Sequence, residues 1–122
     1  MRFLTHNTLY SPIKGLAKGY PLRVEVREYV VREATFNPAF ISSALPSLDW
    51  EGILVAAASV GLTDFPQRLE PALLSDESFL RAAHTLLLEI HVEEGSLICP
   101  ESGRQYPIVN GIPDMRLPES DV

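Results

Sequence analysis

Residues 22–33, LRVEVREYVVRE, set apolar against charged side chains with a period of two. Successive side chains of a strand point to opposite faces, so this is the pattern of a half-buried strand. The same period returns late in the chain, where Leu88, Ile90 and Val92 alternate with Glu89, His91 and Glu93. Everything between these stretches reads as helix and loop. The chain is therefore constrained to build a small β unit from its two ends, with helices placed in the interval.

The interval carries start and stop signals. Asn37 can accept from the free N–H groups that open a helix, and Pro38 supplies a preset φ at the first helical position. Phe36 and Ile41 are spaced for a hydrophobic staple across that cap, and Pro46 stops the helix. Ser47 is placed to open a second helix, LDWEGILVAAASV, with Asp49 and Glu51 in its first turn and Gly61 as a left-handed terminator. A loop over 62–74 follows, and Ser75 is placed to cap a third helix, DESFLRAAHTLL. A short helix is also expected over residues 2–10, from Phe3, Leu4, Thr8 and Leu9.

Beyond residue 87 the pattern predicts a turn at Glu94-Gly95, a strand SLIC, a turn over Pro100–Gly103 and a strand RQYPIV. Asn110-Gly111 is a strong tight-turn pair. IPDMRL then forms a last short strand. The fold class is α+β: a β domain from residues 1–35 and 87–122, with an inserted helical domain over residues 36–86.

Composition excludes several functions. Ten Lys+Arg against sixteen Asp+Glu give a net charge of -6, a poor balance for neutralising phosphates, so direct nucleic-acid binding by the chain alone is not expected. No apolar run approaches the ~20 residues of a membrane helix. The start lacks a signal-peptide apolar region and the single cysteine permits no internal disulfide, which predicts an intracellular protein. A structural zinc site needs four Cys or His ligands. Cys99, His6, His84 and His91 are too scattered to supply them. Cys99 and His91 face each other only if the Glu94-Gly95 turn forms, and no oxyanion cradle accompanies them. Glu89, Glu93, Glu94 and Glu101 read as a solvated strand face. With no Gly-rich nucleotide loop present, the chain is not read as an enzyme and no cofactor is assigned.

Apolar surface is what remains. Pro113, Met115 and Leu117 share one face of the last strand, and Pro113 cannot donate to a ladder, so that strand belongs at a sheet edge. Edges of this kind serve as docking strips. The candidate partner-binding residues are Ile112, Pro113, Asp114, Met115 and Leu117, together with Phe3, Leu4, Thr5 and Asn7 of the first helix.

The stretches MRFLTHNTLYSPIKG, YPLRVEV, FNPAFI, LDWEGILVAA and FLRAAHTLLLEIHVEEGSLICPESGRQYPIVNGIPDMRL resemble the multifunctional methyltransferase subunit family over nearly the whole chain. The resemblance implies a zinc-ribbon-like domain made by both termini, with a helical domain inserted. It implies a non-catalytic subunit that activates and stabilises S-adenosylmethionine-dependent methyltransferases acting on tRNA, ribosomal RNA and a translation release factor. It implies heterodimers with several alternative catalytic partners, in cytoplasm and nucleus. Some members carry a four-cysteine zinc site, whose positions here are Ser11, Leu16, Cys99 and Ser102. Three of the four are not cysteine, so zinc is not carried over. Pro100 and Gly103, with Ile98, Tyr106 and Ile108, are left to hold the knuckle turn.

A structural zinc would contribute many kcal/mol to folding. Chelator is therefore expected to leave the thermal midpoint unchanged, and a stoichiometric metal in purified protein would contradict this reading.

Overall fold

A computed structural model describes residues 1–9 and 21–115. Leu117 and the former ligand positions Ser11 and Leu16 lie outside them. The sheet is antiparallel, in the order β1 (Arg23–Val31), β2 (Ile90–Ile98), β3 (Gln105–Val109) and β4 (Ile112–Pro113). The helices are α1 (Phe3–His6), α2 (Pro38–Ala44), α3 (Trp50–Ser59) and α4 (Glu77–His84). Met1 and Arg2 run beside β2: Val92 N donates to Met1 O at 2.8 Å, and Arg2 bridges His91.

Two capping residues differ from the sequence expectation. Asn37 and Pro38 do open α2, with Phe40 N donating to Asn37 Oδ1 at 3.1 Å. The cap of α3, however, is Asp49 rather than Ser47, accepting from Gly52 N at 2.9 Å. That of α4 is Asp76 rather than Ser75, accepting from Ser78 N at 3.0 Å. Each serine instead closes a short 3-10 turn, Leu45–Ser47 or Pro71–Ser75. The carboxylate one or two residues on also meets the positive end of the helix dipole, an advantage no hydroxyl has. Gly61 ends α3 as expected, at φ +79°, with Leu62 N donating to Ala57 O at 2.9 Å and Gly61 N to Ala58 O at 3.1 Å, the Schellman pattern.

The expected turn at Glu94-Gly95 does not form, and β2 runs straight through it. A Cβ on Gly95 would collide with the backbone carbonyl oxygen of Glu25. The glycine is there for close approach of β1, not for a bend. The pairing also shifts register between Val26 and Tyr29. Leu88, expected in a strand, lies in a π turn over Thr85–Glu89 that carries α4 directly into β2.

The buried side chains form one continuous core. It runs from Val92, Leu97, Tyr106 and Ile108 on the sheet to Ile41, Ile53 and Phe79 on the helices. Phe3 and Leu22, at 1% and 0% exposure, lie in it. A side-chain clasp adds to this packing. Asn7 Oδ1 accepts from Asp49 N at 3.0 Å while Asn7 Nδ2 donates to Asp49 O at 2.9 Å. Gly52 leaves room for it, since a Cβ there would stand 2.9 Å from Asn7 Nδ2.

Gly95→Ala is expected to cost about 2–4 kcal/mol in denaturant unfolding, because backbone must move to admit the methyl. Gly103→Ala meets nothing within 4 Å and only a φ of +74°, so its cost is about 1–2 kcal/mol. The reverse order would show that the β1–β2 approach at Gly95 is looser than described.

Candidate partner-docking surface

The β3–β4 hairpin turns at Asn110 and Gly111, with φ of 51° and 78°. Two positive φ values in a two-residue loop match the right-handed twist of the flanking strands. The turn is fastened to β2 from both residues: Asn110 N donates to Glu94 Oε1 at 3.2 Å and Gly111 N to Glu93 O at 2.9 Å. The amino group of Met1 donates to Gly111 O and Val92 O, each at 2.7 Å, and its burial lowers its pKa.

Alternation along β3 sends Tyr106 and Ile108 into the core and Pro107 and Val109 outward. Val109 pairs with Ile112, and the two are 50% and 69% exposed. An open groove of about 680 Å3 runs along this side, lined by Pro107, Val109, Ile112, Pro113, Asp114 and Met115. Met115 also packs against the core. Asp114 N donates to Pro107 O at 2.8 Å, extending the hairpin past the two residues of β4. Apolar side chains on a short edge strand, with a groove beside them, form a surface able to take an added strand or an apolar segment.

The structure brings Ile112, Pro113, Asp114 and Met115 together and treats the α1 candidates differently. Phe3 is core, standing edge-on to His6 with centroids 6.0 Å apart. Its ring is not available on the surface of the free chain, which corrects its reading as a docking residue. Asn7 is 6% exposed and spends its amide on Asp49. Leu4 is half-buried and Thr5 exposed. α1 packs on the π turn and on α3. Pro107 and Val109 were not among the sequence candidates. Their signal was present in QYPIV, whose apolar residues occupy both parities of a strand.

Of the candidates for chemistry only His84 and Glu89 meet, at 3.5 Å, and both are occupied by the Ala34 backbone. His91 and Cys99 flank a straight strand, eight residues or roughly 25 Å apart, so they make no dyad. Cys99 is wholly buried and accepts from Ser102 N at 3.4 Å. His84 Nε2 donates to Ala34 O at 3.0 Å. Glu89 accepts from Ala34 N at 3.0 Å and Thr85 Oγ1 at 2.9 Å, and the first of these chiefly lowers its pKa. Glu93 pairs with Arg32 at 3.2 Å. Among the described residues no group of three or more His, Cys, Asp or Glu could hold a metal ion.

A family model described as Trm112p-like protein matches residues 2–111. The chain belongs to the Trm112p-like family. It is 44% identical over 124 residues to a protein of Arabidopsis thaliana named multifunctional methyltransferase subunit TRM112 homolog A, covering 100% of both chains. A Mus musculus relative, multifunctional methyltransferase subunit TRM112-like protein, is 40% identical over 122 residues, with 99% of this chain and 98% of the relative covered. The Saccharomyces cerevisiae subunit TRM112 is 31% identical over 131 residues, with 97% of each covered. The fold is similar to a chain of the E. cuniculi Mtq2–Trm112 complex responsible for methylation of the eRF1 translation termination factor. The TM-score is 0.60 at 21% identity, over 94% of each chain.

Buried groups set a pH dependence for this fold, His6 foremost. His6 is fully buried, with Nε2 2.6 Å from Leu22 O. Burial holds its pKa below the ordinary 6.5, against the opposing pull of that carbonyl. The unfolded chain therefore takes up the proton first. The stabilisation is complete above 6.5 and is lost as pH falls below it. The depressed Glu89 adds a loss in the same direction below its ordinary 4.5. The Met1 amino group and His91, both depressed chiefly by burial, act in the same direction below their ordinary 8.0 and 6.5. The melting midpoint is therefore expected to be flat only above about pH 9 and to fall by about pH 5. His6→Gln, which keeps a donor toward Leu22, should lessen the part of that fall below about pH 6.5. A wild-type midpoint constant across the interval would contradict this account of His6.

Proposed function

We propose that this chain is a non-catalytic activating and stabilising subunit of S-adenosylmethionine-dependent methyltransferases that modify tRNA, ribosomal RNA and a translation release factor. The observation that carries the docking site is the exposed Val109–Ile112 pair at the β4 edge, beside a groove reaching to Met115. The relatives are named as methyltransferase subunits, and the structural neighbour is a member of such a complex. Catalysis then resides in the partner.

The two sheet edges support this assignment. β1 carries Arg23, Glu25, Arg27 and Glu28 ahead of the exposed Tyr29 and Val31, with a register shift around Arg27. Charge and irregularity of this kind discourage strand addition. The other edge is short and apolar. Ile112, Pro113, Asp114 and Met115 form the contact in this proposal, with Leu4 and Thr5 at its margin. Phe3 and Asn7 act by fixing α1.

The finer architecture is part of the same reading. Residues 1–35 and 87–122 form a zinc-ribbon-like unit, and residues 36–86 an inserted helical one. The knuckle is a turn in which Cys99 N donates to Arg104 O at 2.9 Å and Gly103 N to Cys99 O at 3.0 Å. The residues present do not fit zinc: Cys99 is the only thiolate source, and Ser102 Oγ accepts from Arg104 N at 3.3 Å. Residence in cytoplasm and nucleus follows from the proposed substrates.

Ile112→Glu should leave folding intact, because the side chain is 69% exposed, yet carry an unpaired charge into the contact. Co-expressed with a catalytic methyltransferase, this variant and Met115→Glu should lose partner recovery. A deficit of about 2 kcal/mol weakens binding about thirtyfold. Undiminished recovery with folded Ile112→Glu would place the interface elsewhere.

A further inference from the structure

The helical part carries a second apolar surface, away from the β4 edge. Trp50, Phe65 and Phe79 close a triangle with centroids 6.0, 6.3 and 6.4 Å apart. Trp50 Nε1 donates to Pro66 O at 3.0 Å, fastening the loop after α3 onto this floor. Phe65 then stands as a wall between two clefts. One, of about 240 Å3, lies over Phe79 and Ala82 and is edged by Asp64 and Ser78. The other, of about 180 Å3, lies over Leu54 and Ala58 and is edged by Leu62. Each has room for one bulky apolar side chain. Ala58 and Ala82 are exposed, and a small residue at each position keeps its cleft open.

Charge selects the occupant. Residues 36–86 hold six Asp or Glu, two Arg and no Lys, so they carry four of the six net negative charges of the chain. Asp64 lines the first cleft, and Asp76 and Glu77 open α4 just before Ser78. Arg81 does not line the first cleft and lies 4.3 Å over the Phe36 ring, and Arg68 follows Gln67 of the second cleft. The first cleft is thus apolar within and acidic at its rim.

We propose that this double cleft docks a linear basic peptide segment of another protein. Two bulky apolar side chains enter the clefts on either side of Phe65, and a lysine or arginine beside the first meets Asp64 at its rim. Apolar anchors supply the affinity and the cation sets orientation and salt dependence. The surface is independent of the methyltransferase contact, so the two assignments stand or fall separately.

The single tryptophan lies in the floor and reports binding by its fluorescence. The probes are synthetic peptides of about ten residues carrying two leucines or phenylalanines at several spacings and three lysines. Controls replace the lysines with glutamate or the apolar pair with serine. At least one basic spacing should bind saturably, weaken with added salt and exceed both controls. Ala82→Glu and Ala58→Glu, both at exposed positions, should each weaken it by about tenfold or more, and Asp64→Lys should reverse the charge preference. Methyltransferase recovery should stay at the wild-type level in all three. Absence of saturable binding by every spacing, or equal binding of acidic peptides, would overturn the proposal. So would peptide binding untouched by Ala82→Glu and Ala58→Glu. Loss of methyltransferase recovery in these variants would assign the clefts to that partner, and self-association abolished by Ala82→Glu would assign them to a second copy. Either result overturns the proposal.

Discussion

The clasp between Asn7 and Asp49 holds the two ends of the sequence logic together. One side-chain amide satisfies both the N–H and the carbonyl of Asp49, while the carboxylate of Asp49 caps α3 through Gly52 N. A helix N-terminus leaves several N–H groups without intrahelical partners, so its position in a fold is set by what satisfies them. Here α1 and α3 share one joint. Gly52 completes it by bringing no side chain where the Asn7 amide must lie. Without the Asn7 amide the N–H of Asp49 would be left unpaired at a half-buried site, at about 1–3 kcal/mol, while its carbonyl would keep Ile53 N.

The sheet depends on a similar exclusion. Without a side chain at Gly95, β1 closes on β2, and Arg27 reaches across to donate to Gly95 O at 3.1 Å. This pairing gives β1 an edge of alternating charge and disturbed register, while the opposite edge ends in a two-residue strand. The same physics that protects one side therefore leaves the other as the place where an added segment meets least resistance. The asymmetry is built in at β1, far from β4 in the sheet order.

Much of this was legible in the sequence where a residue type has one structural use. Asn37-Pro38 opened α2, Gly61 ended α3 and Asn110-Gly111 turned the last hairpin, as their chemistry requires. Gly95 was misread because glycine marks a turn and a close backbone approach alike, and only the partner strand decides between them. Ser47 and Ser75 were misread because a hydroxyl and a following carboxylate compete for the same cap. Phe3 was assigned to the surface because a four-residue helix is too short for periodicity to define its inner face. Val109 and Pro107 were missed since a strand apolar on both parities does not reveal which parity faces the core.

The turn that begins at Cys99 rests on the shared core, since Cys99 and Tyr106 belong to the same buried cluster as the helices. Structural zinc supplies about 10–16 kcal/mol in small metal-dependent folds. Phe3, Leu22, Leu87 and Leu97 are each at most 1% exposed and belong to one cluster with Ile53 and Ala57 of α3. Burying a few such side chains stabilises by about 1.5–3 kcal/mol apiece, comparable in sum to a metal site. The geometry of the β4 edge is tied through this core to the packing of residues 36–86, so under the proposed docking a substitution in the α3 core would act on the contact without touching the partner.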